Sequence, residues 1–188
     1  PVPEIWSDSV IDFTTYQSRR AELKALADNI KHNIQQEGLN PSRDILVIAL
    51  GHYQGVKLKR KAAQFLKEQG VNIYIPKAVE KNKIHFSYPD IAPNKFWHQK
   101  AVTLANIYRA KGNEAYLVYV IGLDQIAKDE ANVGLRNQLF VALTRAKGWV
   151  KISGIGVYAL YQEFRQVIES GNTFEFEFQR PAAEKINT

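Results

Sequence analysis

Apolar positions recur at two periods along this chain, and a change of period marks a change of secondary structure. Leu23, Leu26, Ile30 and Ile34 stand at helical spacing, and Gly38 followed by Pro41 supplies the stop. Ile45 to Leu50 is an unbroken apolar run with β-branched members, the pattern of a strand covered on both faces. Leu58, Ala62, Phe65 and Leu66 return to helical spacing until Gly70, and Val71 to Ile75 give a second strand closed by Pro76. A strand, a helix and a strand joined by short links predict a parallel βαβ unit.

Residues 77–101 break this rhythm. They are polar, mix Lys81, Lys83 and Lys95 with Phe86, Tyr88, Phe96 and Trp97, and read as an insertion. Regular patterning then predicts strands at Val102–Ile107 and Tyr116–Ile121, a helix across Asn132–Ala146, a strand at Trp149–Ser153 and a helix over Val157–Glu169. Phe174, Phe176 and Phe178 alternate as in a further strand, and the tail from Pro181 is expected to be frayed. The fold class that follows is α/β, a three-layer and mainly parallel sheet forming one domain over 1–180 with a disordered tail at 181–188. Ligands of open parallel sheets bind beyond the carboxyl ends of the strands. That rule selects three loops: Gly51–Gly55, Tyr108–Glu114 and Gly122–Gln125.

Composition narrows the partners. Of 188 residues, 45% are apolar and 23% charged, which suits a packed globular domain. The net charge of +6 favours an anionic partner, nucleic acid first, although a mild basic excess also serves solubility. With no cysteine, thiolate metal sites and disulfides are excluded. The chain also lacks methionine and begins Pro1-Val2-Pro3, so it is expected to be a segment of a longer protein. No signal peptide or membrane-spanning run is visible, and a cytoplasmic location is expected.

Arg145 is the leading candidate for chemistry. An arginine is permanently charged, forks to match phosphate oxygens and can stabilise charge on a transferring phosphoryl group. The helix before it is expected to bury Leu139, Phe140 and Leu143 and so to fix its base. Complementing the negative end of that helix is the plainer reading. Gly112 permits a left-handed turn and Glu114 can accept from a ribose hydroxyl, against the plainer reading of a turn glycine beside a solvated carboxylate. Asn106 and Tyr108 flank a strand end where they could touch a nucleic-acid backbone or base, and core-edge packing serves Tyr108 equally well. The basic run Lys57, Lys59, Arg60 and Lys61 reads as a solvated helix face more readily than as a phosphate grip. Phe86, Tyr88, Phe96 and Trp97 either stack bases or pack the insertion. His32, His52, His85 and His98 have no metal-ligand spacing.

Val102-Thr103-Leu104-Ala105-Asn106-Ile107-Tyr108-Arg109-Ala110-Lys111-Gly112-Asn113-Glu114 resembles motif V of superfamily 1 helicases of the UvrD/Rep/PcrA type. Leu139-Phe140-Val141-Ala142-Leu143-Thr144-Arg145-Ala146-Lys147 resembles their motif VI. The order of the two and the strand between them make the pairing specific, and the likeness spans roughly 40–170 with its sharp part at 102–154. The strand at 45–50 with the helix and strand that follow resembles the motif IV region in outline, but Tyr53-Gln54 stands where the family has a Tyr-Arg pair, so either Arg60 or Lys57 substitutes or that contact is absent.

This resemblance implies a RecA-like second motor domain without its own P-loop. It implies that Arg145 reaches a γ-phosphate across a cleft and that Gly112, Glu114, Thr144 and Lys111 contribute to the nucleotide site. Asn106, Tyr108 and Arg109 would approach single-stranded nucleic acid, DNA before RNA; Asn106 and Tyr108 replace the family's Thr and His. ATP and Mg²⁺ are implied for the complete parent, none tightly held by this chain alone, with an N-terminal RecA-like domain of the same protein as partner and no metal ligand here. No GxxxxGK[ST] loop is present, and no glycine is followed by lysine anywhere. Asp129-Glu130-Ala131-Asn132 has the letters of a Walker B box, yet Gln125-Ile126-Ala127-Lys128 precedes it instead of an apolar strand, so it reads as an acidic helix start. ATPase activity is therefore expected of the parent and not of this chain alone. The alternative is a non-catalytic RecA-like module that docks nucleic acid or protein; a small-molecule α/β enzyme lacks a glycine-rich cofactor fingerprint here.

Overall fold

The computed structural model describes residues 9–76 and 95–170. Six strands form one sheet: β1 (Ile11–Tyr16), β2 (Ile45–Ala49), β3 (Ile73–Tyr74), β4 (Val102–Asn106), β5 (Ala115–Ile121) and β6 (Ala146–Ile155). Their order is β1-β6-β5-β2-β4-β3, and every pairing is parallel. The helices are α1 (Arg19–Gln35), α2 (Tyr53–Glu68), α3 (Ile107–Ala110), α4 (Asp124–Ala127), α5 (Val133–Leu143) and α6 (Ala159–Glu169).

Alternation of side chains across the central strands divides the core in two. Ile45, Val47, Leu104, Leu117 and Tyr119 meet α1 and α2 through Leu23, Leu26, Ile30, Leu58, Ala62 and Leu66. Leu46, Ile48, Val118, Val120, Val150 and Ile152 meet α3 to α6 through Ile107, Ala110, Leu135, Leu139 and Tyr161. Strands buried on both faces read as continuous apolar runs, which is why β2 was conspicuous in the sequence. The result is three layers, helix on sheet on helix.

Several boundaries differ from the sequence reading. β1 was not anticipated: Ile11-Asp12-Phe13-Thr14-Thr15-Tyr16 alternates half-buried and exposed positions because it lies at the sheet edge beside β6. Ile107 belongs to α3 and not to the strand, since Asn106 caps a helix there by accepting from the Arg109 amide at 3.1 Å. The strand expected at Val71–Ile75 contracts to Ile73–Tyr74. The helix expected to run to Ala146 ends at Leu143, and β6 starts at Ala146, because Ala146 is already in register with Ala115. The expected strand at Phe174–Phe178, the tail at 181–188, Phe86 and Tyr88 lie outside the described residues.

Candidate nucleotide and nucleic-acid surfaces

In a parallel sheet all strands enter at one edge and leave at the other, so the register fixes which candidates can meet. Ala115 begins β5 opposite Ala146 of β6, and the Ala115 amide donates to the Arg145 carbonyl at 3.0 Å. Glu114 and Arg145 are thus the residues immediately before two neighbouring strands. Both lie at the amino edge of the sheet. Asn106 ends β4 at the opposite, carboxyl edge, in register with Ala49.

This corrects the loop rule applied to the sequence. Tyr108–Glu114 does not sit wholly beyond the carboxyl ends, because β5 runs parallel to β4 and the chain must return across the sheet before β5 begins. The single helical turn of α3, then Gly112 at φ +82°, makes that return. Asn106 and Tyr108 therefore stay at the carboxyl edge, whereas Glu114 arrives at the amino edge.

Arg145 leaves α5 through the cap residue Thr144 and is half-buried. Its Nε donates to the Val141 carbonyl at 3.2 Å and its Nη2 to the Thr144 hydroxyl at 3.1 Å. Thr144 in turn donates to the Val141 carbonyl at 3.0 Å. Among the described residues, Arg145 has no carboxylate partner. The burial expected ahead of it is only partly present: Leu139 is buried and Leu143 half-buried, but Phe140 is 68% exposed. Phe140 falls on the outer face of α5, with Val133 and Asn137, about half a turn around the helix from the buried Leu135, Leu139 and Ala142.

Glu114 is exposed and faces Lys147 Nζ at 3.9 Å. Gly112 has nothing within 4 Å of where a side chain would start. Lys111 is exposed but lines a groove between α3 and α5, together with Tyr108 and Val141. Arg109 is exposed. Tyr108 is held at the carboxyl edge by His52: its hydroxyl lies 3.2 Å from His52 Nδ1 and the two rings are inclined by 23°. Gln138 Oε1 accepts from the Gly51 amide at 3.1 Å, which fastens α5 to the loop after β2. The side chains of Tyr53 and Gln54 lie outside the described part, and Lys57 and Arg60 stand on α2, in the helix layer opposite that of Arg145. The acidic stretch before α5 acts as a helix start, with Asn132 accepting from the Leu135 amide and donating to Asp129 at 3.1 Å. No set of three His, Cys, Asp or Glu side chains among the described residues could hold a metal ion.

Sequence reasoning missed a buried ionic cluster at the carboxyl ends of β5 and β6. Arg19 Nη2 donates to both Asp124 oxygens at 2.6 and 2.7 Å, and its Nη1 meets Glu22. Glu22 accepts from the Ser153 hydroxyl at 2.7 Å and the Gly122 amide at 3.2 Å, and both carboxylates are buried. Burial alone would lower the Arg19 guanidinium, but the charges of Glu22 and Asp124 reverse this and hold it above its usual range. Burial, then the same carboxylates, pushes the Tyr161 phenol upward, and Tyr16 shifts the same way from burial, Glu22 and Asp12. The only signal in the sequence was the spacing of Arg19 and Glu22; Asp124 is remote in the chain and is brought in by the fold.

Residues 101–153 match the family model of the UvrD-like helicase C-terminal domain, the stretch that holds β4, α3, β5, α4, α5 and most of β6. The fold is similar to the C-terminal domain of a possible DNA helicase from Lactobacillus plantarum WCFS1, with a TM-score of 0.54 and 15% identity over 79% of this chain and 76% of that one. No curated protein matches. The matched segment contains both stretches on which the helicase resemblance rests, Val102–Glu114 and Leu139–Lys147, and the solved domain shares the α/β fold around them. No helix among the described residues is long and apolar enough to cross a membrane.

Proposed function

We propose that this chain is the C-terminal motor domain of an ATP-dependent superfamily 1 helicase or translocase, whose ATP site is shared with an N-terminal RecA-like domain. The observation that carries this reading is the meeting of two separate motifs at one sheet edge. Glu114 and Arg145 precede adjacent strands and are tied through the Ala115 amide and Arg145 carbonyl at 3.0 Å. Nothing in the packing of a parallel sheet requires an arginine and a carboxylate there.

In this reading Arg145 is parked. Its two acceptors, a carbonyl and a hydroxyl, are neutral. A phosphate oxygen is a stronger, charge-assisted acceptor, so the guanidinium would exchange both contacts for it when the cleft closes. Thr144 holds the waiting position, Gly112 lets the backbone approach closely, and Glu114 accepts from a ribose hydroxyl. Bound Mg²⁺·ATP supplies the phosphoryl group, and the partner domain supplies the phosphate-cradling loop. Asn106, Tyr108 and Arg109 at the carboxyl edge contact single-stranded nucleic acid, DNA in the first instance.

The test is polynucleotide-stimulated ATP hydrolysis by the parent protein with Arg145→Ala. A loss of at least about a hundredfold in kcat is expected for an arginine acting on the transferred group. Unchanged turnover would remove Arg145 from the reaction.

A further inference from the structure

Between α3 and α5 lies a groove of about 230 Å³ lined by Ile107, Tyr108, Lys111, Gly134, Asn137 and Val141. We propose that it is a pocket for one unstacked nucleobase together with its phosphate. This deepens the functional reading above, because it gives the nucleic-acid surface a specific place of contact.

The chemistry of the walls argues for a base. Tyr108 is 65% exposed yet fixed, because His52 takes its hydroxyl and lies near-parallel to its ring at 6.4 Å. His52 Nδ1 is also 3.5 Å from Gln138 Nε2, and Gln138 is itself buried and bound to the Gly51 amide. An aromatic ring held in place before binding is a stacking wall that loses little freedom when a base arrives. Ile107 and Val141 make an apolar floor. Asn137 offers an amide with both donor and acceptor, the pair needed at a base edge. Gly134 leaves the mouth open where any other residue would project a side chain. Lys111 provides a cation for the attached phosphate, and none of the described lining residues is acidic. The volume lies below the roughly 300–1,000 Å³ of pockets that bury drug-sized ligands, which suits a single compact ring system.

A base with a phosphate can come from a strand or from a free nucleotide, and the experiment separates them. The chain is titrated into fluorescein-labelled oligothymidylate and followed by anisotropy, with AMP as competitor. Tyr108→Ala and Gly134→Leu should each weaken binding by about tenfold, the scale of one lost base stack. Tyr108→Phe, which keeps the ring but loses its tether to His52, should recover part of the affinity that Tyr108→Ala loses. Lys111→Ala should lower the salt-dependence slope by roughly 0.7, the contribution of one phosphate contact, while Gly134→Leu leaves that slope unchanged. Lys61→Ala on the opposite helix layer is the charge control and should change affinity least. Displacement of the oligonucleotide by AMP supports a pocket open to free nucleotides, and its absence supports one reserved for a strand. Wild-type affinity in both Tyr108→Ala and Gly134→Leu overturns the pocket, as does failure of the unaltered chain to bind. Either result leaves Arg145 to be judged by ATP hydrolysis in the parent. Melting temperatures identify a variant that fails to fold, and Tyr108, exposed on the surface, supplies the decision if Gly134→Leu disturbs the Asn132 cap, 3.3 Å from the added carbon.

Discussion

The Arg145 carbonyl accepts from the Ala115 amide at 3.0 Å, so the arginine of one motif and the carboxylate of the other, Glu114, enter the sheet side by side. That bond is part of the β5–β6 ladder and involves the backbone of Arg145 alone. The side chain's own contacts, to the Val141 carbonyl and the Thr144 hydroxyl, are local and neutral, so changing it should cost the fold little.

The first prediction uses this separation. In the parent protein, Arg145→Lys should keep most of the stability and lose most of the ATP hydrolysis, because lysine carries the charge without the planar fork. Steady-state kinetics beside a thermal melt would decide it. Equal losses in stability and turnover would assign the residue a structural part.

A second prediction concerns the Arg19–Glu22–Asp124 cluster. Arg19→Met would leave two buried carboxylates with only the half-exposed Lys128, 3.6 Å from Asp124, as a cation. Removing one partner from a buried pair typically costs about 3–5 kcal/mol. The urea midpoint of the purified chain should fall accordingly, and a midpoint within about 1 kcal/mol of wild type would show the cluster to be hydrated and weak.

Tyr161 sets an alkaline limit. Its folded phenol is held above its ordinary value of 10.0 by burial and by Asp124, with a hydrogen bond of 3.0 Å to the Ile155 carbonyl. A raised folded value means that the unfolded chain loses the proton first as pH climbs. Stability from this group is therefore complete below about pH 10 and declines above it. Urea midpoints measured from pH 7 to 11 should be flat and then drop, and Tyr161→Phe should soften the drop while lowering the plateau.

Two left-handed glycines give a paired prediction. Gly122 at φ +83° has the Leu58 side chain where a Cβ would stand, so Gly122→Ala suffers both strain and collision and should cost about 2–4 kcal/mol. Gly112 at φ +82° meets nothing within 4 Å, so Gly112→Ala should cost only about 1 kcal/mol of backbone strain. If Gly112→Ala nonetheless abolishes ATP hydrolysis in the parent, the open space there is occupied in the reaction. Normal hydrolysis would reduce Gly112 to a turn.

The β2, α2 and α5 elements were legible because strands buried on both faces and helices buried on one write their apolar periods directly into the chain. β1 was not, since its edge position leaves Asp12, Thr14 and Thr15 polar and blurs the alternation. Phe140 is expected inside because it lies within the unbroken apolar run Leu139–Leu143, which shows no phase of its own; only the helix axis shows that it faces outward. The residues of motifs V and VI could be read as a resemblance, but their division between two sheet edges could not, because it depends on strand direction and register. Asp124 was invisible for a related reason. A lone carboxylate at the start of a short helix acquires its meaning only when Arg19 is folded against it from a remote part of the chain.

The crossing made by α3 carries one more implication. Four residues of helix and a glycine turn carry the chain back along the length of the strands from Asn106 to Glu114, with Ile107 and Ala110 buried against the sheet on the way. The two rims are therefore joined by a segment anchored in the core, not by a free loop, and each end can be altered without setting the other adrift.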